Sequence, residues 1–181
     1  KPVAIVGMGA IMPDAHDAAA FWNNIKSGRY SITDVPKNRW RTDLYYSPDP
    51  SAPEKTYSKI GGWVTGFQFE PFKWGIAIPP RVMGQMDEAQ QWAIAACRQA
   101  LTDYGQPQRF LDLSRTAVIL GNALGGEKHY NTTLRIRVPE FAEALSAVPD
   151  FQQLSPAIQQ ALLAGLVENM RQTTPEINED T

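Results

Sequence analysis

Residues 1–13 read KPVAIVGMGAIMP, an apolar run at 3–6 entering a turn with glycines at 7 and 9. A short, continuous apolar run is the pattern of a strand buried on both faces, as in a parallel sheet. A strand followed by a glycine turn also opens many dinucleotide-binding units, so the first question is whether a phosphate sits here. The fingerprint G-x-G-x-x-G needs a third glycine so that its helix can pack close to the strand. Here that position is Met12, and Pro13 follows. A bulky side chain and a proline stand where a pyrophosphate would meet a helix N-terminus. Residues 27–40 lead into irregular chain, so no second strand offers an acidic partner for a ribose. The segment therefore reads as a core strand ending in a tight turn.

Working outward, Asp17 is placed to cap a helix whose Phe21, Trp22 and Ile25 share one face, and Gly28 is placed to end it. Residues 29–80 form a long, irregular excursion rich in turns and rings, containing VPKNRW, LYYSPDPSAPEKTY and GGWVTGFQFEPFKWG. A connection of this length is functional or is packed down along its course. Trp40, Trp63 and Trp74 all fall within it, which implies that it is pinned to a surface.

The clearest helix is MDEAQQWAIAACRQALTDYG, residues 86–105. Asp87 and Gln90 make a capping-box pair, Ala89, Ala93, Ala96, Cys97, Ala100, Leu101 and Tyr104 form one stripe, and Gly105 stops it. RTAVILGNALGG, residues 115–126, reads as a second buried strand and a second glycine turn. Two further helices are expected, one over about 138–148 with Pro139 in its first turn. The other starts at Ser155 and Pro156 and carries Ile158, Leu162, Leu163, Leu166, Val167 and Met170 on one side. Strand, helix, excursion, helix, strand is an α/β order with parallel strands. Two parallel strands cannot cover both of their faces, so exposed apolar patches are expected.

Composition narrows the function classes. A hydrophobic fraction of 43% is that of a globular chain, and a net charge of −2 gives no polyanion-binding surface, which argues against a nucleic-acid partner. A single cysteine, Cys97, allows no internal disulfide and fits a reducing cytoplasm. Two histidines far apart make a metal site improbable, and no apolar run reaches the roughly 20 residues that span a bilayer.

Four candidates for chemistry remain. Cys97 lies in mid-helix, away from the helix N-termini and cations that favour a thiolate, and reads as a buried structural residue. His16 and His129 can titrate near neutrality, but neither has an evident nucleophile beside it, and both read as loop histidines. The stretch GNALGG places the apolar Leu124 among glycines at a strand end. It reads equally as a pocket wall or as a tight core turn.

Taken together, these residues resemble the N-terminal part of a β-ketoacyl synthase, the condensing enzyme of fatty-acid and polyketide synthesis. PVAIVGMGAIMPDAHDAAAFWNNIKSGRYSITDVPKNRW is similar to the opening of modular and iterative ketosynthases, including its Phe-Trp pair. LYYSPDP and KTYSKIGGWVTGFQFEPFKWGI resemble the excursion before the MD-x-x-Q helix, here Met86, Asp87, Gln90 and Gln91. GNALGGEKHYNTTLRIRVPEF looks most like synthases of polyunsaturated fatty acids and related iterative polyketide systems. The resemblance covers essentially the whole chain, as 1–28 first strand and helix, 29–80 excursion, and 81–181 helix, second strand and helical stretches.

The resemblance implies a thiolase-like αβαβα fold, here its incomplete N-terminal part, and a cytoplasmic homodimer. The implied reaction is a decarboxylative Claisen condensation of acyl and malonyl units held on an acyl carrier protein. No cofactor is bound directly, because phosphopantetheine arrives on the carrier. The family's Ala-Cys-Ser-type turn, its two histidines and its lysine do not occur in residues 1–181, and the cysteine turn is expected after Thr181. No catalytic residue is therefore assigned in this segment, which alone is expected to be inactive and to need the C-terminal half as partner. Leu124, Gly125 and Gly126 are implied to line the acyl substrate pocket, and Arg81 to meet the acidic carrier protein. A non-catalytic ketosynthase-like scaffold subunit is the alternative.

Overall fold

The computed structural model describes residues 2–122 and 126–177. They cluster into two compact units, one of Lys1–Ala77 with Trp92–Val118 and one of Ile78–Gln91 with Ile119–Thr181. The elements in chain order are α1 (Ala18–Lys26), β1 (Ile32–Asp34), α2 (Thr42–Tyr45), β2 (Ile60–Gly62), α3 (Pro80–Gln85), α4 (Glu88–Tyr104), α5 (Glu127–Ile136), α6 (Val138–Ser146), α7 (Pro149–Gln152) and α8 (Pro156–Thr173). Single 3-10 turns stand at Pro71–Trp74 and Leu113–Arg115.

In the first unit an extended N-terminal segment runs against α4. The Met8 N–H donates to Asp103 Oδ2 at 2.8 Å and the Ala10 N–H to Gln99 Oε1 at 3.0 Å. The spacing explains the match. Two residues of extended chain advance about 6.6 Å and four residues of helix about 6 Å, so alternate amides meet side chains one turn apart. Gly7 and Gly9 permit the approach. A Cβ on Gly7 would lie 2.2 Å from the Ala100 carbonyl oxygen, and one on Gly9 2.0 Å from that of Ala96. The small residues of the α4 stripe thus admit an extended backbone. The chain then turns sharply through Pro13 and Asp14, with paired hydrogen bonds between Met12 and Ala15, and Ala15 is buried. Asp14 takes φ +57°, and its carboxylate accepts from Arg29 Nε at 3.2 Å.

The helix that follows is capped as expected. Asp17 Oδ1 accepts the Ala20 N–H at 2.7 Å, and Gly28 leaves the helix at φ +67°. The excursion is indeed pinned, by its own chain. β1 and β2 pair antiparallel from Ile32 opposite Gly62 to Asp34 opposite Ile60, and the Lys59 ammonium reaches the Asp34 carboxylate at 3.1 Å. The Trp63 indole donates to the Thr33 carbonyl at 3.0 Å, Arg39 Nη2 to that of Val64 at 3.0 Å, and Phe69 meets Trp74 edge-on at 5.5 Å.

Two expectations are corrected. Residues 3–6 and the stretch before Gly121 join no ladder, and the sheet formed among the described residues is the antiparallel pair β1–β2. Their apolar side chains are exposed, with Val3 at 96%, Ile5 at 85% and Ile119 at 90%. The reason is that a strand apolar on both faces is stable only with strands beside it and layers above and below. The α4 stripe is half-buried for the same reason, although Ala95 is fully enclosed.

In the second unit, α6 packs on α8, with Val138 and Phe151 buried. Pro139 lies in the first turn of α6 as expected, and α8 begins at Pro156. Leu163, Leu166, Val167 and Met170 of α8 are half-buried, whereas Ile158 and Leu162 stay exposed. Arg135 at the end of α5 closes α8. Its Nη1 donates to the carbonyls of Arg171 and Thr174, both at 3.0 Å, a cation on a helix C-terminus. Among the described residues no helix is long and apolar enough to cross a membrane.

Candidate functional site

Of the residues expected to line a substrate pocket, Leu124 and Gly125 lie outside the described residues, and Gly126 is within them. Gly126 has φ +90° and ψ 160° and precedes α5 as its N-cap, a conformation that favours glycine. Without a side chain it cannot cap the helix, and another residue does so.

That residue is Asp87. The Asp87 N–H donates to Gln90 Oε1 at 2.9 Å while Asp87 Oδ1 accepts the Ala89 N–H at 2.9 Å, so the capping box over α4 forms as the sequence indicates. The second oxygen does more. Asp87 Oδ2 accepts the N–H of Lys128, in the first turn of α5, at 3.0 Å. One carboxylate thus faces the N-termini of two helices, where a negative charge is favoured. A Cβ on Gly126 would stand 2.6 Å from the carboxylate carbon, so the backbone rests directly on it. The Lys128 ammonium donates to the Gly84 carbonyl, which fastens α5 to α3 as well.

Beside this junction is a pocket of about 500 Å³ whose walls include Asp87, Gln90, Asn122, Lys128, His129 and Thr132. Polar groups converge there around the apolar ends of Ile136 and Ile177. His129 is exposed and lies on α5, not in a loop, its ring edge-on to Tyr130 at 5.9 Å. Arg81 stands exposed on α3, one turn before Gln85, another residue of the pocket wall.

The other candidates fall in the first unit. Cys97 is half-buried, which corrects the expectation of a buried residue. It lines a groove of about 670 Å³ together with Gly7, Gly9, Phe21, Trp22 and Ala100. It lies in the middle of α4, far from the helix N-terminus. His16 lies in a bend but is tied down. Its Nε2 contacts the Thr65 carbonyl at 2.9 Å, its own carbonyl accepts from Gln99 Nε2 at 2.7 Å, and its ring meets Phe67 edge-on at 5.8 Å. Because a carbonyl only accepts, that contact places the proton on Nε2. Among the described residues no three His, Cys, Asp or Glu side chains gather as a metal cluster.

Gly7 and Gly9 settle the opening motif in physical terms. Their α-carbons face helix carbonyl oxygens, where an anion would be repelled. The Pro13–Asp14 turn occupies the place of a phosphate-binding helix start. Sequence reasoning did not find the Asp87–Lys128 bond, which joins residues 41 apart, nor the use of Gln99 and Asp103 to bind backbone.

The family model for the β-ketoacyl synthase N-terminal domain matches residues 1–166. The chain is 37% identical over 125 residues to a phenolphthiocerol/phthiocerol polyketide synthase of Mycobacterium tuberculosis, covering 67% of this chain and 8% of that protein. It is 34% identical over 127 residues to polyketide synthase PksN of Bacillus subtilis, covering 70% of this chain and 2% of that one. A solved oxazolomycin ketosynthase domain from Streptomyces albus JA3453 is 34% identical and covers 55% of this chain and 17% of its own, with a TM-score of 0.47. The chain therefore spans less than a tenth of the length of these curated relatives. With a match that runs from the opening strand-like segment through most of α8, the chain belongs to the β-ketoacyl synthase family, as part of its thiolase-like N-terminal domain.

Proposed function

We propose that the chain is the N-terminal portion of a β-ketoacyl synthase that condenses acyl and malonyl units carried on an acyl carrier protein, in polyketide or fatty-acid synthesis. The observation that carries this reading is the family match over residues 1–166. In this reaction an acyl group moves from the carrier's phosphopantetheine thiol to an enzyme thiol. The malonyl unit then loses carbon dioxide, and the resulting carbanion attacks the acyl carbonyl and expels the enzyme thiolate. The product is a β-ketoacyl chain on the carrier.

Cys97 is not the thiol in this proposal. It sits in mid-helix, half-buried against Gly7 and Gly9, without a helix N-terminus to favour its thiolate. The nucleophile and its histidines belong to the C-terminal half of the domain, and residues 1–181 supply structure and substrate contacts and are inactive alone. Leu124, Gly125 and Gly126 line the acyl pocket. Arg81, a cation on the exposed α3, meets the acidic carrier protein. The functional unit is a homodimer.

The test uses the complete gene product that contains this chain. Incubated with an acyl-loaded carrier protein, it gains the mass of one acyl group, read by intact-protein mass spectrometry. A protein that never takes up acyl groups, yet still forms a complex with the carrier, is a scaffold and contradicts the proposal.

A further inference from the structure

We propose that the hollow between α1, α4 and the 3-10 turn at Pro71–Trp74 is a binding site for a small aromatic zwitterion, of which a free aromatic amino acid is the simplest. The site is independent of the condensing reaction proposed above. It lies wholly in the first unit, in a cavity of about 750 Å³, within the size range of small-molecule sites. Its floor is apolar, with the buried Ala95 of α4, and Met8 also lines it. Two indoles wall it, Trp22 from α1 and Trp74 from the turn. Trp74 is held edge-on against Phe69 at 5.5 Å, so that wall stands before any ligand arrives. Two indoles over an apolar floor suit a planar aromatic group.

The charges choose among such ligands. Arg98, Asp17 and Asp103 line the same cavity, one cation and two carboxylates. Among the described residues no ion pair joins Arg98 to either acid. Arg98 Nη1 donates to Thr102 Oγ1 at 2.8 Å, which leaves the rest of the guanidinium fork for another acceptor. Each carboxylate gives one oxygen to the backbone and keeps the other. Asp17 Oδ1 accepts the Ala20 N–H at 2.7 Å, and Asp103 Oδ2 the Met8 N–H at 2.8 Å. Gln99, by contrast, is used at both ends, by the Ala10 N–H and the His16 carbonyl. Opposite charges held apart in one cavity are complementary to a ligand that carries both. Its ammonium answers the carboxylates and its carboxylate the guanidinium. An uncharged chain would use none of the three, and a phosphate would meet two carboxylates.

The experiment titrates the complete gene product with L-phenylalanine and with three probes that each lack one feature. Phenylalaninamide lacks the carboxylate, phenylpropionate the ammonium, and L-alanine the ring. Tryptophan fluorescence and calorimetry are both read, and melting midpoints check that each variant is folded. The assignment predicts a Kd of about 1 mM or tighter for phenylalanine, and binding about tenfold weaker for the other three. Arg98→Ala weakens phenylalanine about tenfold and leaves phenylalaninamide unchanged. Asp103→Asn, which keeps an acceptor for Met8, weakens phenylalanine and leaves phenylpropionate unchanged. No phenylalanine signal up to about 20 mM in the unsubstituted protein overturns the assignment. So does an Arg98→Ala effect of equal size for phenylalanine and its amide, because the guanidinium then does not read the carboxylate. Alanine binding as tightly as phenylalanine overturns it too, because the indoles then do not wall the site.

Discussion

Two glycine segments follow apolar stretches in this chain, and they use the missing side chain differently. At Gly7 and Gly9 the obstacle to a Cβ is the backbone of α4, with carbonyl oxygens 2.2 and 2.0 Å from where it would stand. At Gly126 the obstacle is a side chain, the Asp87 carboxylate, and φ is +90°. A helix backbone cannot yield without breaking the helix, whereas a carboxylate can rotate away. The first segment is therefore closed to any side chain by helix backbone, and the second by a side chain that can shift.

The largest effect is expected where the backbone is the obstacle. Gly9→Ala forces a methyl group into the Ala96 carbonyl and destabilises the first unit by about 3 kcal/mol or more, read by denaturant unfolding. A loss below about 1 kcal/mol would mean that the extended segment moves off α4 easily. Gly126→Ala costs less, about 2 kcal/mol, from its positive φ and from displacing the carboxylate. Its signature is faster hydrogen exchange at Lys128, the amide that Asp87 holds. Equal costs at the two sites would erase the distinction. Gln99→Ala removes an acceptor for Ala10 and a donor to the His16 carbonyl, together worth about 1 to 2 kcal/mol, and the same unfolding curves measure it.

The smallest effects lie on the surface. The Arg137 hydrogen bond holds the Glu140 carboxyl below its ordinary range, and Arg41 does the same for Asp43. A lowered carboxylate pKa adds stability above the unfolded value. That stability is lost as pH falls from the ordinary glutamate value of about 4.3 through the lower folded one. Both pairs are fully exposed and screened, so Arg137→Ala leaves the melting midpoint at pH 7 within experimental scatter. It also slightly lessens the loss of stability on acidification.

Much of the local structure was legible because it depends on neighbours in sequence. Asp17, Gly28, the Asp87–Gln90 pair and Pro139 act within a turn or two of their own positions, and each stands where its residue type indicates. The α5 helix was not legible. EKHYNTTLRI has few apolar residues to mark a face, and its cap comes from Asp87, 40 residues before its first position. The two strand-like runs show the opposite failure. Their composition specifies burial between sheet neighbours, but burial depends on partners, and among the described residues they remain extended and exposed. The contact between the Asp87 carboxylate and the start of α5 joins residues about 40 apart and required the fold.

The central claim, that this chain is part of a condensing enzyme, is tested most directly by the reaction itself. The complete gene product is given a carrier-bound acyl chain and a carrier-bound malonyl unit, and carbon dioxide and carrier-bound product are counted together. The account predicts one carbon dioxide released for each β-ketoacyl chain formed. Intact malonyl carrier and no β-ketoacyl product, from a folded protein that binds the carrier, would contradict it.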